Sequence, residues 1–394
     1  MYTIDSNKYG FAPEQLFAIG KRELNTKRSF LFVSKLLGKH LSVRPEVVRA
    51  TGYLLASLRY GFDPSTYVDC IKEDTLPSYD AHAVDNDVLV IGFCETATAL
   101  GLSVALAIQG STYISTTREP IYGYQRIVSF EEAHSHATTH NMFSNVIQMD
   151  RFKRIILVDD EITTGNSFLH LMEALLRFPQ IKEITILSIL DWRDENHRNA
   201  FRHFSNVYGI TISVYSLISG MISMDDHALY KNGLVCRSSK FTQVLPLELF
   251  PKTEVQAPDG TIYRYITDTG RFGLSYEEML LIEGRAKEAA KLIGQAIGEA
   301  HRLLVLGHGE NIYIPSRVAA CLERMGYVVR FKTTSRTPIH CDGTLFKDIV
   351  EFQEKGTNYH FYNLHEAETY DRVILLCEDG FPCQLSSNMM TFNL

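Results

Sequence analysis

A strand, a turn and a helix follow one another at residues 154–175, and this succession constrains the fold more than any other feature of the chain. The apolar run RIILVDD (154–160) favours a strand buried on both faces. The polar turn ITTGNS comes next, and an apolar stripe at helical spacing follows it, formed by Phe168, Leu171, Met172 and Leu175. Asn166 or Ser167 is expected to cap the start of this helix. The segment therefore predicts one βα unit of a parallel sheet.

The rest of the first half repeats this alternation of β-branched runs and helical patterns. The runs that predict strands are VLVIGF (88–93), TYISTT (112–117), EITILSILD (183–191) and TISVYSLIS (211–219). Near-continuous apolar runs of this kind are typical of strands that crossover helices cover on both faces. The predicted fold class is therefore α/β, with a parallel, Rossmann-like sheet.

A chain of 394 residues is expected to form two or three domains. Residues 220–275 are the least regular and contain PLELFPKTEVQAPDGT, with three prolines and an APDG turn, so we place the boundary near residue 245. A long helix over about 276–300 is predicted to lead into the strand-like runs RLLVLGHGE (302–310), YVVRFKTTSR (327–336) and RVILLCEDG (372–380). We thus expect a first domain over 1–245 and a smaller α/β domain over 246–394.

Three segments of the second half resemble segments of the first half in the same order. They pair LVIGFCETATALGLSVA at 89 with LVLGHGENIYIPSRVA at 304, STTREP at 115 with TTSRTP at 333, and RIILVDDE at 154 with RVILLCED at 372. The offsets of about 215 to 218 residues indicate an internal duplication, or two domains that converged on one βα scaffold. CEDGFPC stands where DDEITTGNS stood, so the second domain is expected to be a degenerate repeat that does not share the chemistry of the first.

Composition excludes several function classes. The net charge of -7 argues against a surface built mainly for nucleic acid or anionic lipid. No signal pattern and no run of about 20 apolar residues is present, so we expect a cytoplasmic protein with no membrane partner. Seven cysteines without a CxxC pair indicate reduced thiols rather than a disulfide framework or a zinc ribbon.

The acidic pair Asp159 and Asp160 is the first element of the predicted site. Carboxylates at the carboxyl end of a buried parallel strand face the crevice where ligands bind. They can accept hydrogen bonds from a vicinal diol, directly or through Mg²⁺. Hydroxyls and backbone N–H groups at the following helix N-terminus can bind a dianionic phosphate. The competing interpretation is that the two aspartates face only water.

This string resembles the phosphoribosyl pyrophosphate (PRPP) motif of type I phosphoribosyltransferases, in which an apolar strand and two acidic residues precede a TTG-type phosphate loop. The resemblance implies that the ribose phosphate is bound by Glu161, Thr163, Thr164, Gly165, Asn166 and Ser167. It also implies a pyrophosphate loop after the first core strand, formed by Glu95, Thr96, Ala97 and Thr98. The carboxylate of Glu95 departs from an ideal anion site, and any βα turn has a similar sequence.

The segment between the second and third core strands corresponds to the loop that closes over the transition state in the orotate-type branch. Arg118 is predicted to contact phosphate oxygens, with Arg126 as an assistant. Three histidines lie beyond them, His134, His136 and His140. They can contact phosphate or take part in catalysis, bind a transition metal, or simply be solvated. Of these we assign His134 and His136, with Arg118 and the two aspartates, to catalysis.

By resemblance, residues 1–80 form an N-terminal hood over a core at about 80–220. Within RSFLFVSKLLGKHLSVRP (28–45), the candidates for contact with an acidic base are Lys35, Lys39 and His40, although such residues are usually solvated. In the second half, the residues at equivalent turn positions are His308, Glu310, Arg336 and Asp379. They either form a binding or regulatory pocket or only cap elements.

Residues of about 28 to 220 look like an orotate-type phosphoribosyltransferase domain, and TTSRTP resembles the TRSP domain that follows such domains in bacterial tellurium-resistance and stress-response gene clusters. The resemblance implies that PRPP, with Mg²⁺, and a nitrogen base give a nucleotide and pyrophosphate, or the reverse. A non-catalytic PRPP or nucleotide sensor and another ribosyl-phosphate enzyme remain alternatives. The sequence determines neither the base nor the oligomeric state, and a homodimer is compatible with it.

Overall fold

The computed structural model describes residues 2–23, 29–131, 139–223, 230–232, 244–381 and 383–394. The chain divides into two compact units built from interleaved segments. The first unit comprises Met1–Leu16, Arg49–Asp225 and Gly270–Leu280. The second unit comprises Phe17–Val48, Asp226–Thr269 and Leu281–Leu394. The chain passes between the units several times, and residue 245 lies within the segment Asp226–Thr269 of the second unit.

The strands are numbered in chain order. They are β1 Tyr2–Asn7, β2 Phe17–Lys21, β3 Phe30–Ser34, β4 Ala83–Val84, β5 Val88–Gly92, β6 Ile108–Gln109, β7 Thr112–Ser115, β8 Arg126–Glu131, β9 Thr139–Phe143, β10 Arg154–Ile162, β11 Glu183–Asp191, β12 Thr211–Ile222, β13 Val244–Pro246, β14 Lys252–Gln256, β15 Ile262–Ile266, β16 Leu274–Ser275, β17 Arg302–Gly307, β18 Val328–Thr333, β19 Ile349–Glu354, β20 Thr357–Tyr362, β21 Arg372–Cys377 and β22 Met389–Asn393. The α-helices are α1 Pro13–Leu16, α2 Pro45–Tyr60, α3 Ser65–Glu73, α4 Thr98–Leu106, α5 Asn166–Leu175, α6 Glu195–Tyr208, α7 Tyr276–Ala296 and α8 Tyr313–Arg324.

The first unit is built on a seven-stranded sheet in the order β1-β12-β11-β10-β5-β7-β16. Its five central strands are parallel, and the two edge strands run antiparallel to their neighbours. In the middle strand, Leu157 lies opposite Ile91 on one side and Ile186 on the other. The apolar stripe predicted for α5 is buried against this sheet. The predicted α/β class is thereby confirmed.

The second unit contains a five-stranded sheet in the order β13-β22-β21-β17-β18, and all of its strands are parallel. The three strands predicted in this half form its centre and one edge. Sequence patterns missed β13 and β22, which complete the other side. They also missed the hairpin β14–β15, which occupies much of the segment that we expected to be a linker.

The repeat seen in the sequence is present in both sheets as a shared strand order and register. The order β10-β5-β7 of the first unit corresponds to β21-β17-β18 of the second. Leu89 lies opposite Ile155, and their counterparts at offsets of 215 and 218 residues, Leu304 and Val373, also lie opposite each other. The same correspondence relates the pairs Gly92–Ser115 and Gly307–Thr333. The two sheet centres therefore place equivalent residues at equivalent positions.

None of the helices in the described ranges is long and apolar enough to cross a membrane. The six cysteines in those ranges are free thiols, as the sequence predicted.

Candidate active site

The acidic pair lies where β10 extends beyond its neighbour β5. The β5 ladder ends at the pair Gly92–Val158, whereas β10 continues to Ile162, two residues further than predicted. Asp159 and Asp160 follow Val158 at once and are half-buried. The Asp160 N–H donates to Asp159 Oδ1 at 2.9 Å. Because the chain continues from β5 to one side and from β10 to the other, the pair lies at a topological switch point, where parallel sheets bind ligands.

The turn after β10 depends on Gly165. This residue has φ of 81°, and a Cβ on it would lie 2.5 Å from the Phe201 ring, so no other residue fits there without strain. Gly165 is also the N-cap of α5 and has no side chain to cap it, whereas Thr164 Oγ1 accepts from the Asn166 N–H at 3.4 Å. The predicted capping by Asn166 or Ser167 is therefore wrong, because both already lie inside the helix. Further backbone N–H groups of this first turn can bind an anionic ligand or water.

A buried ion pair at the end of β11 supports this turn. Asp191 accepts two hydrogen bonds from the Arg193 guanidinium, at 2.9 and 2.8 Å, and both side chains are buried. The guanidinium also lies 4.4 Å above the ring of Phe201, the side chain that closes over Gly165. The backbone N–H of Trp192 donates to the Ile162 carbonyl at 2.7 Å. We did not predict a role for these residues. The available signal was the segment DWR, in which an acidic and a basic residue directly follow a buried apolar run.

The predicted pyrophosphate loop forms a tight turn between β5 and α4. The Ala97 N–H donates to the Phe93 carbonyl at 3.0 Å, and the peptide bond between Cys94 and Glu95 is cis. Thr98 Oγ1 donates to the Glu95 carbonyl at 3.3 Å. Of the four predicted residues, only Thr96 is more than marginally exposed. The loop can therefore offer a ligand its backbone far more readily than its side chains.

A hydrogen-bonded network fixes this loop to the end of β7. Thr116 Oγ1 accepts from the Cys94 N–H at 2.9 Å and lies 3.1 Å from His140 Nδ1. Arg118 donates to His140 Nε2 from Nε at 3.1 Å and from Nη2 at 2.9 Å. Since a guanidinium can only donate, His140 is a neutral imidazole with its proton on Nδ1. Its buried ring holds the guanidinium of Arg118 in place.

The other residues predicted near Arg118 have different surroundings. His134 and His136 lie outside the described residues, so their assignment stays a prediction. Arg126 is exposed at the start of β8, opposite Phe143 of β9. Sequence reasoning missed Arg271, whose buried guanidinium contacts the Glu119 carboxylate at 3.3 Å, one residue beyond Arg118.

Three polar segments thus lie side by side in the first unit, each at the carboxyl end of a strand of the sheet. They are the acidic pair with its glycine turn after β10, the tight turn after β5 and the Arg118 segment after β7, and these strands are neighbours. The hood candidates Lys35, Lys39 and His40 lie in the second unit. Within the described ranges, no group of three or more His, Cys, Asp or Glu side chains can hold a metal ion.

Comparison with known families gives two matches along the chain. Residues 16–221 match a phosphoribosyl transferase family, which is more than half of the chain. The chain belongs to this phosphoribosyl transferase family. Residues 268–390 match the TRSP domain that lies C-terminal to such transferases. Both resemblances found in the sequence are confirmed, and the protein is a phosphoribosyltransferase by family. No curated protein matches the chain.

Solved structures similar to this chain include adenine and orotate phosphoribosyltransferases. Adenine phosphoribosyltransferase from Leishmania donovani is 14% identical, with a TM-score of 0.32 over 56% of this chain and 86% of that one. The adenine enzyme from Trypanosoma brucei is 13% identical, with a TM-score of 0.30 over 52% and 76%. Orotate phosphoribosyltransferase from Mycobacterium tuberculosis is 14% identical, with a TM-score of 0.27 over 51% and 88%.

Proposed function

We propose that the first unit transfers ribose 5-phosphate between PRPP and a nitrogen base, with Mg²⁺, in nucleotide or specialised nucleoside metabolism. The observation that carries this proposal is the meeting of three segments at one sheet edge. One presents two carboxylates and a helix N-terminus, the second a tight backbone turn and the third an arginine. A diol, a phosphate and a pyrophosphate are the groups that these segments suit, and PRPP carries all three.

The 5-phosphate is assigned to the turn after β10. The hydroxyls of Thr163, Thr164 and Ser167 can donate to its oxygens, and the first backbone N–H groups of α5 point along the helix axis toward it. The positive end of the helix dipole favours a dianion there. Gly165, with φ of 81°, gives the turn the conformation from which α5 begins.

The ribose is assigned to Asp159 and Asp160, whose carboxylates accept hydrogen bonds from its hydroxyls. As the bond at the anomeric carbon breaks, the sugar becomes oxocarbenium-like, and the two negative charges stabilise it more than they stabilise the ground state. The same oxygens suit Mg²⁺, which proteins commonly hold through one or two carboxylates together with substrate phosphates. When bound, the ion would offset negative charge on the pyrophosphate.

The leaving pyrophosphate is assigned to the turn formed by residues 94–98 and to Arg118. Backbone N–H groups of the turn can bind its oxygens. Arg118 adds a fixed positive charge, since His140 accepts from both Nε and Nη2 and holds the guanidinium in one orientation. A preformed donor of this kind stabilises the transition state without reorganisation during the reaction. His134 and His136 are proposed to assist from the neighbouring segment.

Titration calorimetry with PRPP and Mg²⁺ tests this assignment. Wild type is expected to bind one PRPP in the first unit, and Asp159→Asn with Asp160→Asn is expected to weaken binding at least about tenfold, since two charged hydrogen bonds to the ribose are lost. A screen of purine and pyrimidine bases for pyrophosphate release then separates an enzyme from a sensor. Binding without turnover by any base would favour the sensor. Failure to bind PRPP or any nucleotide 5′-monophosphate would contradict the proposal.

A further inference from the structure

The second unit repeats the turn that was assigned to pyrophosphate, down to its hydrogen bonds. In the first unit, the Cys94 N–H donates to Thr116 Oγ1 at 2.9 Å. The counterparts of these two residues, at offsets of 215 and 218, are Gly309 and Thr334, and the Gly309 N–H donates to Thr334 Oγ1 at 3.1 Å. Each bond joins the second residue after one strand to the first residue after its parallel neighbour. The backbone between β17 and α8 is therefore held by the same bond as the backbone between β5 and α4.

A hairpin is attached to the next residue in both units. Thr117 exchanges two backbone hydrogen bonds with Asn141 of β9, at 2.8 and 2.9 Å. Its counterpart Ser335 exchanges two with His360 of β20, at 2.9 and 2.6 Å. The repeat thus extends beyond the sheet to the hairpins that flank the strand ends, β8–β9 in one unit and β19–β20 in the other.

The charged side chains at this second sheet edge correspond to those of the first. Arg336 occupies the position of Arg118, and its Nη2 donates to the Tyr359 hydroxyl at 3.0 Å. Glu310 occupies the position of Glu95, is buried, and lies 3.7 Å from Arg336 Nη1. Arg336 therefore stands beside the turn on a fixed aromatic support, with most of its length buried.

A buried lysine from a distant part of the sequence adds a second cation to this turn. Lys39 is only 1% exposed, and its Nζ donates to the Gly309 carbonyl at 3.3 Å. The ring of His308 lies between Thr334 and Glu354, with Nδ1 2.9 Å from Thr334 Oγ1 and Nε2 bonded to Glu354. In the first unit the position of His308 is occupied by Phe93, so the second turn is the more polar of the two.

Asn311 gives an independent indication that this turn takes a ligand. It is 4% exposed, and neither its amide nitrogen nor its amide oxygen has a hydrogen-bond partner among the described residues. An unsatisfied buried amide destabilises the fold, and a protein seldom tolerates one without a use for the group. Asn311 lies in the turn itself, one residue before the N-cap of the twelve-residue helix α8.

We propose that the second unit has an anion site of its own, at the turn between β17 and α8, for a phosphate or pyrophosphate group. Arg336, Lys39 and the Asn311 amide supply the donors, and the N-terminus of α8 adds a favourable dipole. The turn after β21 reads CEDGFPC and lacks the TTGNS segment that was assigned to a sugar 5-phosphate, so the ligand needs no phosphoribosyl part. The site goes beyond the proposed function and does not depend on PRPP turnover.

Titration of the full chain with inorganic pyrophosphate, and separately with inorganic phosphate, tests the site. Wild type is expected to bind two equivalents of pyrophosphate, one in each unit. The matched variants are Arg118→Gln and Arg336→Gln, and each is expected to weaken one equivalent about tenfold or more and leave the other unchanged. Phosphate binding that depends on Arg336 would show that one phosphoryl group suffices, whereas dependence seen with pyrophosphate alone would assign the diphosphate.

Asn311→Leu protects the test against a folding artefact. Leucine has a similar size and removes the unpaired amide, so the variant is expected to melt no lower than wild type and yet to lose the second equivalent. A single equivalent in wild type, abolished by Arg118→Gln, would overturn the proposal. So would a second equivalent that neither Arg336→Gln nor Asn311→Leu affects. If only the proposed function of the first unit were wrong, the equivalent that depends on Arg118 would be missing and the one that depends on Arg336 would remain. The failure of either proposal can therefore be told from the failure of the other.

Discussion

The two units share strand order, register, a turn and a hairpin, and they differ in the segment after the third strand of the repeat. In the first unit, β10 leads through Asp159 and Asp160 into the turn at Gly165 and the N-terminus of α5. In the second, the residue at the position of Glu161 is Asp379, which forms ion pairs with Arg264 at 3.3 Å and Lys355 at 3.5 Å. The acidic end of β21 is thus engaged by neighbouring cations, whereas the acidic end of β10 is the one to which we assign a ligand.

The arrangement at the carboxyl ends of the strands is therefore shared by the two units, while the segment after one strand, β10 or β21, differs in its chemistry. The turn and the arginine are retained in both units, which suits binding of an anion. The TTGNS segment, which we propose binds the sugar phosphate, follows β10, and CEDGFPC stands in its place after β21. Residues of the first unit can accordingly be tested against their counterparts in the second.

The largest difference between the units is expected for the catalytic effects of replacing Arg118 and its counterpart Arg336. Arg118→Gln should lower pyrophosphate release from PRPP by about 10²–10³-fold, because a preorganised cation at the leaving group is lost. Arg336→Gln, its counterpart, should leave this rate within about twofold of wild type. Steady-state kinetics on both variants measures the contrast. Equal losses in the two variants would mean that the units do not divide their roles as proposed.

Replacing the glycine in the turn after β10 should destabilise the fold more than replacing the glycine in the turn after β21. Gly165→Ala is expected to lower the free energy of unfolding by about 2 to 4 kcal/mol, because a positive φ and contact with Phe201 add their costs. Gly380 has φ of 85° but nothing within 4 Å of its Cβ position, so Gly380→Ala should cost about 1 kcal/mol. Denaturant unfolding of both variants provides the measurement.

A buried lysine distinguishes the β18 strand from β7. Lys332 stands at the position of Ile114, and burial lowers its pKa from 10.5 to about 8. The unfolded chain then binds more protons between about pH 8 and 10.5, so wild-type stability should rise with pH across that window. Lys332→Ile should remove this rise, which is on the order of 2 to 3 kcal/mol. The difference between the unfolding free energies of wild type and variant, followed across that pH window, measures it. A constant difference would contradict the assignment.

The weakest effect is expected for the hydrogen bond that holds each turn. Thr116→Val and Thr334→Val should each lower stability by about 1 to 2 kcal/mol, since a buried N–H loses its acceptor. Only Thr116→Val is expected to slow pyrophosphate release as well. Thermal melts combined with activity assays separate the two consequences, and a rate loss in Thr334→Val would argue against a division of roles.

Sequence patterns predicted the parts of the molecule that local chemistry determines. The strand EITILSILD coincides with β11 at both ends, and the acidic pair lies near the carboxyl end of β10, two residues before its last residue. The register repeat was visible as constant sequence offsets, because aligned strands must keep equivalent residues opposite each other. Element type and order can be read from such patterns.

Long-range pairing could not be predicted from the sequence. Residues 17–48 belong to the second unit partly through Val43, which pairs with Phe331, and Arg22, which pairs with Ile339. Contacts across roughly three hundred positions leave no local signal. The neutral state of His140 likewise depends on a guanidinium that the fold brings to its Nε2, so the H-x-H-x-x-x-H pattern alone could not separate its roles.

The chemistry of the protein is assigned to the acidic end of β10. Pyrophosphate release from PRPP, measured across a panel of purine and pyrimidine bases with Mg²⁺, tests this assignment most directly on wild type and two double variants. Asp159→Asn with Asp160→Asn should lose at least about a hundredfold in rate. Glu378→Gln with Asp379→Asn, at the corresponding end of β21, should stay near the wild-type rate. An inactive wild type, or equal losses in the two double variants, would contradict the assignment.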